Sequence, residues 1–202
     1  MKKSYLCTGL ALACALTLSA CGGSKNNELQ IAMTLAGVTQ TGLQITNKGG
    51  PAVAVPPGAG FAFTDLVPID TDYDIAIVAR PLNTESCAVI NGKGNTGVIS
   101  PPYIAITCVL KKFELSGGVS GLTGGDLVIN NGSQTVTILK GATSFTLSAP
   151  TATDPKFGQI AEGVPYGLTI LKQPASGTCT IAYASGIMPA AAVNNIAISC
   201  TP

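Results

Sequence analysis

Cys87-Ala-Val-Ile-Asn-Gly92 opens a segment that Tyr103-Ile-Ala-Ile-Thr-Cys108 closes, and the chain repeats it as Cys179-Thr-Ile-Ala-Tyr-Ala184 and Asn195-Ile-Ala-Ile-Ser-Cys200. In each copy the two cysteines stand 21 residues apart. Isoleucine recurs every second residue before the closing cysteine. Residues i, i+2 and i+4 of a strand point to one face. Ile104, Ile106 and Cys108 therefore share the apolar face of one strand, and Ile196, Ile198 and Cys200 share that of another. Cysteines on such a face are expected in a core.

Upstream the likeness continues in the same order. Tyr73-Asp-Ile-Ala-Ile-Val-Ala-Arg-Pro81 matches Tyr166-Gly-Leu-Thr-Ile-Leu-Lys-Gln-Pro174. Gly42-Leu-Gln-Ile-Thr-Asn47 matches Asp126-Leu-Val-Ile-Asn-Asn131, and Phe61-Ala-Phe63 matches Phe145-Thr-Leu147. The offset grows from about 84 residues to about 92, and Ser148–Gly163 holds most of the extra length. Such a duplication takes precedence over any other fold argument. Each copy is a series of short alternating segments broken by Gly, Pro, Asn and Asp, the rhythm of a β-sandwich. Asn91-Gly92 and Asn131-Gly132 predict tight hairpins. Gly117-Gly118 and Gly121…Gly124-Gly125 read as β-turns; neither precedes the Lys-Ser/Thr and helix of a phosphate loop. The expected fold is all-β: two tandem immunoglobulin-like β-sandwich repeats at 29–110 and 111–202. Val109-Leu-Lys-Lys112 runs straight into strand-like Phe113-Glu-Leu115, so the repeats are expected to form a stiff pair.

The N-terminus has a different character. Lys2 and Lys3 precede an uncharged run from Tyr5 to Ala20 rich in leucine. This is the pattern of a signal peptide, residues 1–20, and the run falls short of the ~20 residues that span a bilayer. It ends Leu18-Ser19-Ala20-Cys21, which resembles the lipobox of bacterial lipoproteins; an ordinary secretory signal followed by a chance cysteine is the alternative. The resemblance implies cleavage before Cys21, with diacylglyceryl on its thiol and an acyl group such as palmitate on its α-amine. Two or more chains hold a protein firmly to a membrane. In that family Asp after the lipidated cysteine favours inner-membrane retention. Here the residue is Gly22, which implies sorting to the outer membrane. Residues 21–28 then form a short polar tether, with a reach of roughly 15 Å by flexible-coil scaling.

Seven cysteines sort by position. Cys7 and Cys14 leave with the signal peptide, and Cys21 takes lipid. Cys87, Cys108, Cys179 and Cys200 remain, an even number in an oxidising compartment. Their equal spacing pairs Cys87 with Cys108 and Cys179 with Cys200. A zinc site would need thiolates from both halves without CxxC spacing.

Composition narrows the function classes. Without Lys2 and Lys3, nine Lys and Arg face ten Asp and Glu, so no basic face for nucleic acid is implied. There is no His to serve as a catalytic base and no Trp to stack on sugars. No SxxK motif, marked carboxylate pair or cofactor signature appears, and an enzyme is not expected. Asp70-Thr-Asp72-Tyr-Asp74 looks like the start of a calcium loop, but positions six and twelve hold Ile75 and Pro81 where Gly and Glu are required. It reads better as a loop feeding a strand, and no metal is assigned. Lys111-Lys112 is too short for an electrostatic membrane patch.

The pattern Tyr-x-Ile-x-Ile…Pro…Cys-x-Ile/Val…Ile-x-Ile-x-Cys resembles a repeat of proteobacterial envelope lipoproteins with immunoglobulin-like sandwiches and no catalytic residues to carry over. Copy one departs from it at Glu85-Ser86, where Gly177-Thr178 of copy two fits. The resulting expectation is an outer-membrane lipoprotein held by lipid on Cys21, with a structural or binding role toward an unknown protein partner. The alternatives are a surface-exposed adhesin and a periplasmic accessory subunit of an envelope complex. Binding is expected at sheet edges or end loops, with Ser148–Gly163 the first loop to test.

Overall fold

The computed structural model describes residues 27–97, 103–147 and 158–202, and no helix occurs among them. Eight strands come from the first half: β1 (Glu28–Ala36), β2 (Leu43–Asn47), β3 (Val53–Val55), β4 (Gly60–Pro68), β5 (Asp72–Ala79), β6 (Thr84–Ile90), β7 (Lys93–Asn95) and β8 (Ile104–Leu110). They form two four-stranded sheets ordered β4-β1-β8-β6 and β3-β2-β5-β7. Period-two patterning decides which faces meet: Tyr73 and Ile75 of β5 turn inward, as do Ile104, Ile106 and Cys108 of β8. Leu43, Ile45 and Ile106 are fully buried in this core. Each such side chain contributes about 1.5–3 kcal/mol by leaving water.

The second half holds β9 (Lys112–Phe113), β10 (Leu115–Ser120), β11 (Leu127–Asn131), β12 (Gln134–Ile138), β13 (Ser144–Thr146), β14 (Ile160–Ala161), β15 (Pro165–Lys172), β16 (Thr178–Ala182), β17 (Ser185–Ile187) and β18 (Val193–Thr201). Its sheets are ordered β13-β10-β18-β16 and β12-β11-β15-β17, the same topology as the first half. A separate core of Leu115, Leu127, Ile129, Ile196 and Ile198 lies between them. In both halves the first long strand runs parallel to the last: Met33↔Ile104 to Ala36↔Thr107, and Gly117↔Ile196 to Ser120↔Ser199. The matches read along the sequence are thus matches of strand on strand.

The backbone repeats as well. Gly37 and Gly121 end β1 and β10 with φ of +74° and +72°. A Cβ there would lie 2.0 Å from the Cys108 carbonyl oxygen and 2.1 Å from that of Cys200. Only glycine satisfies the left-handed turn and the close approach together.

The extra length of the second half sits inside a strand. In copy one β4 is continuous but bulged: Gln30 faces Leu66 and Ala32 faces Ala62, so Phe63-Thr64-Asp65 are crowded opposite Ile31. The Gln30 amide donates to the Phe63 carbonyl at 2.9 Å and steadies the bulge. In copy two the same strand is split. β13 pairs with β10, then β14 returns to pair Ile160 with Phe113, as Val67 pairs with Leu29 in copy one. About nine additional residues enter where the bulge stands. Residues 148–157 of the enlarged loop lie outside the described residues.

Two local expectations are corrected. Asn91-Gly92 closes no hairpin, because β6 and β7 belong to different sheets. Asn91, at φ +54°, instead carries the chain between sheets, and Gly92 accepts a hydrogen bond from the Ile75 amide at 2.6 Å. Asn131-Gly132 does turn a hairpin, with Asn131↔Gln134 as its closing pair. Gly117-Gly118 form no turn but lie in β10, where the register shifts between Leu115 and Gly117 and the backbone presses against Ile196. Gly121, Gly124 and Gly125 do lie in the connection to β11.

Two hydrogen bonds tie the halves near the junction, and a third, within the second half, links Glu162 to Lys111 between them. The Lys111 amide donates to the Asn83 carbonyl at 2.9 Å, and the Glu162 amide donates to the Lys111 carbonyl at 3.0 Å. Gln40 Nε2 reaches Glu162 Oε1 at 3.3 Å.

Candidate functional site

The four cysteines among the described residues form the expected pairs, Cys87–Cys108 and Cys179–Cys200. They lie in or against the cores, as expected, and the strand order adds which strands they join. Each bridge joins two adjacent strands of one sheet, with the cysteines directly opposite in register, rather than crossing the core. Cys108 and Cys179 are buried, while Cys87 and Cys200 are only partly covered. The reason lies in the topology: β6 and β16 are edge strands beside the last strand of each copy. A bridge there clips an edge to its sheet. Side chains cap the same edges: the Gln173 amide holds both the N–H and the C=O of Cys179, at 2.9 and 3.0 Å, and Arg80 donates to the Glu85 carbonyl. Cys21 lies outside the described residues.

The Asp70–Asp74 stretch feeds a strand, as its sequence suggested. Asp72 and Asp74 already belong to β5 and face Asn95 and Lys93 across the ladder. Asn95 donates to Asp72 at 2.9 Å, and Lys93 pairs with Asp74 at 3.0 Å. These partners, with Lys48, line an open polar cleft of about 680 Å³. Each carboxylate is engaged by its cross-strand neighbour, and the ion pair is exposed. Between them Tyr73 turns inward at 2 % exposure and donates to the Asn91 carbonyl at 3.1 Å. Burial raises its hydroxyl pKa above 10.0. Among the described residues no group of three or more His, Cys, Asp or Glu side chains converges on a point.

What the described surface offers is edges. On the side away from the disulfides, β3 and β4 border a cleft of about 260 Å³ in copy one. β12 and β13 border one of about 250 Å³ in copy two, lined by Val136, Ile138, Leu139, Ala142 and Phe145. The two sides are built differently. Pro51, Pro56 and Pro57 flank β3, whereas Gln134, Leu139 and Lys140 stand at the same register positions around β12. Sequence reading did not single out β12. Its signal was legible: Gln134-Thr-Val-Thr-Ile138 is uncharged, β-branched and free of proline.

No protein-family model matches the chain, and no curated protein sequence matches it significantly. Solved structures do. A streptococcal ancillary pilin aligns over 89% of this chain and 64% of its own, at 10% identity and a TM-score of 0.29. A single B repeat unit of the collagen-binding surface protein of Staphylococcus aureus aligns over 87% of this chain and 100% of its own, at 11% identity and a TM-score of 0.27. The major pilin T3.2 of Streptococcus pyogenes aligns over 88% and 98%, at 9% identity and a TM-score of 0.28. At these scores the description of the fold rests on the strand order and register given above.

Proposed function

We propose that this chain is a lipid-anchored protein of the bacterial outer membrane whose two disulfide-clipped sandwiches serve a structural or binding role without catalysis. One observation carries the reading: Leu18-Ser19-Ala20-Cys21 stands only seven residues before β1 begins at Glu28. A lipid on Cys21 would hold the first sandwich close to the membrane and carry the second beyond it. The junction hydrogen bonds from Asn83 to Glu162 support a stiff arrangement of repeats 29–110 and 111–202. The surface available for recognition is then strand edges and loops.

Metabolic labelling with palmitate tests the anchor. Label on the wild type, and its loss together with release from membranes in Cys21→Ser, is the expected result; equal membrane retention of the variant refutes anchoring. Protease shaving of intact cells then assigns the face. Loss of both repeats from intact cells favours a surface adhesin. Protection until the outer membrane is opened favours a periplasmic accessory subunit.

A further inference from the structure

We propose that β12 is a docking edge at which two copies of this chain pair, antiparallel and about a two-fold axis at Val136. The proposal deepens the binding role above by naming the partner.

An exposed strand edge is a template for association, and proteins blunt such edges with proline, charge, bulges, shortness or cover. Among the described strands the other edges of both sandwiches are blunted. β4 is bulged and ends in Pro68; β3 is three residues between prolines; β7, β13 and β17 are three residues each. β6 and β16 are clipped by disulfides and capped by Arg80 and Gln173. β12 has five residues in unbroken register with β11 and no Pro, Gly or charge. Copy one serves as the internal control: it has the same strand at the same place, guarded by proline.

The register says which backbone groups are free. The loop Gly132-Ser133 makes Asn131↔Gln134 the closing hydrogen-bonded pair, and hydrogen-bonded pairs alternate along an antiparallel ladder. Gln134, Val136 and Ile138 therefore turn their N–H and C=O groups to β11. Thr135 and Thr137 turn theirs outward, and no described side chain caps them. Around a two-fold at Val136, Thr135 of one copy faces Thr137 of the other. Both pairs exchange N–H···O=C bonds, which uses all four outward groups of each copy's edge. The sequence Thr-Val-Thr is its own reverse, so an antiparallel second copy places Thr against Thr and Val against Val, both favourable cross-strand pairs. Val136 and Ile138 face inward, so the paired valines meet at the mouth of the apolar cleft that also exposes Leu139. Contact along one short strand is small compared with a stable dimer interface of about 1,200–2,000 Å². The association is accordingly weak in dilute solution and favoured where copies are concentrated.

Cysteine cross-linking of the full chain in its own membrane tests this. Val136→Cys places one thiol on the axis, at a non-hydrogen-bonded position where opposed Cβ atoms lie about 4.5–5.5 Å apart. Copper phenanthroline should convert this variant to a disulfide-linked homodimer, while Val53→Cys, its equivalent in β3, stays monomeric. Adding Thr137→Pro, which removes one outward N–H at a position where proline is tolerated, should abolish the dimer, as should Thr137→Lys. A Val136→Cys chain that cross-links no more than Val53→Cys overturns the proposal. So does a dimer that survives both Thr137 changes, or an adduct of a different mass, which would mean another protein occupies the edge. Should Val136→Cys fail to fold, energy transfer between donor- and acceptor-tagged copies in the membrane, wild type against Thr137→Lys, replaces it; equal transfer in both then refutes the pairing. Palmitate labelling of the same samples reads the anchor independently, so failure of the edge leaves the anchored binding role standing, and the converse.

Discussion

Four glycines of the second repeat separate backbone strain from close approach, and their alanine variants test the description of β10 and its turn. Gly118 has neither feature: its φ is not positive and a Cβ would meet nothing within 4 Å. Gly132 has strain alone, at φ +58° with open space around it. Gly117 has close approach alone, with a Cβ position 2.1 Å from the Ile196 carbonyl oxygen. Gly121 has both, at φ +72° and 2.1 Å from the Cys200 carbonyl oxygen. Alanine at Gly118 should stabilise by about 0.4–1 kcal/mol by restricting the unfolded chain. At Gly132 the left-handed conformation costs about 1–2 kcal/mol, less that same gain, leaving roughly 1. At Gly117 the obstacle is backbone of β18, which cannot rotate away, so the upper part of the 1–3 kcal/mol overpacking range, about 3 kcal/mol, applies. Gly121 should lose about 4 kcal/mol, a large part of the ~5–15 kcal/mol that holds a domain together. Thermal melts of the purified variants, followed by circular dichroism, read these directly. For a repeat of this size about 1 kcal/mol moves Tm by about 4–8 °C. A Gly121→Ala protein melting within a few degrees of wild type would refute the parallel approach of β10 to β18. Gly132→Ala proving worse than Gly117→Ala would refute the separation of the two effects.

Reduction of the disulfides should lower the melting temperature of both repeats, since closing a loop of this length restrains the unfolded chain by about 3 kcal/mol; an unchanged melt in reducing agent counts against the pairing. Hydrogen exchange should then quicken first at Ala88 and Thr180, whose amides face the last strand of each sheet from the edge strands the bridges fasten, and uniform quickening would contradict the edge-clip role. Tyr73 titrates above 10.0 because burial favours its neutral form, so its contribution is complete below about pH 10 and falls away as pH rises past that value. Tyr73→Phe should lower Tm modestly near neutrality, through loss of the bond to Asn91, and flatten the alkaline limb; an unchanged alkaline slope refutes that role. Lys93→Ala breaks an exposed ion pair and should cost under about 1 kcal/mol; a severe loss of stability would mean the cleft is more than surface.

The framework was legible because a duplication prints the same physical constraint twice. Isoleucine alternation around Cys108 and Cys200 placed those strands, and equal spacing paired the cysteines without any coordinates. The same pattern could not tell a bridge across the core from one within a sheet. Period two fixes the face a cysteine takes, and strand order alone fixes its neighbour. Asn91-Gly92 misled for a related reason. Asn-Gly favours left-handed backbone, and Asn91 does adopt it, but the chain uses that conformation to change sheets. Gly117 misled because a glycine demanded by a close-packed neighbouring backbone looks, in sequence, like a glycine demanded by a turn.

What the two copies share and where they part can be weighed together. Shared are the positions the sandwich cannot do without: the glycines turning at Gly37 and Gly121, the clipped edges β6 and β16, and the inward tyrosine strand. The differences collect on the opposite flank. There copy two lacks the prolines that guard β3, and its strand equivalent to β4 is interrupted by about nine additional residues. Both differences leave the core and the disulfides untouched, and neither stabilises copy two relative to copy one: a flank without proline leaves the unfolded chain looser, and a longer loop costs closure entropy. Features that weaken a fold, gathered on one flank, are what recognition at that flank would demand. The flank of β12 and β13 is therefore where mutation should alter association while leaving the melting of the first repeat unchanged.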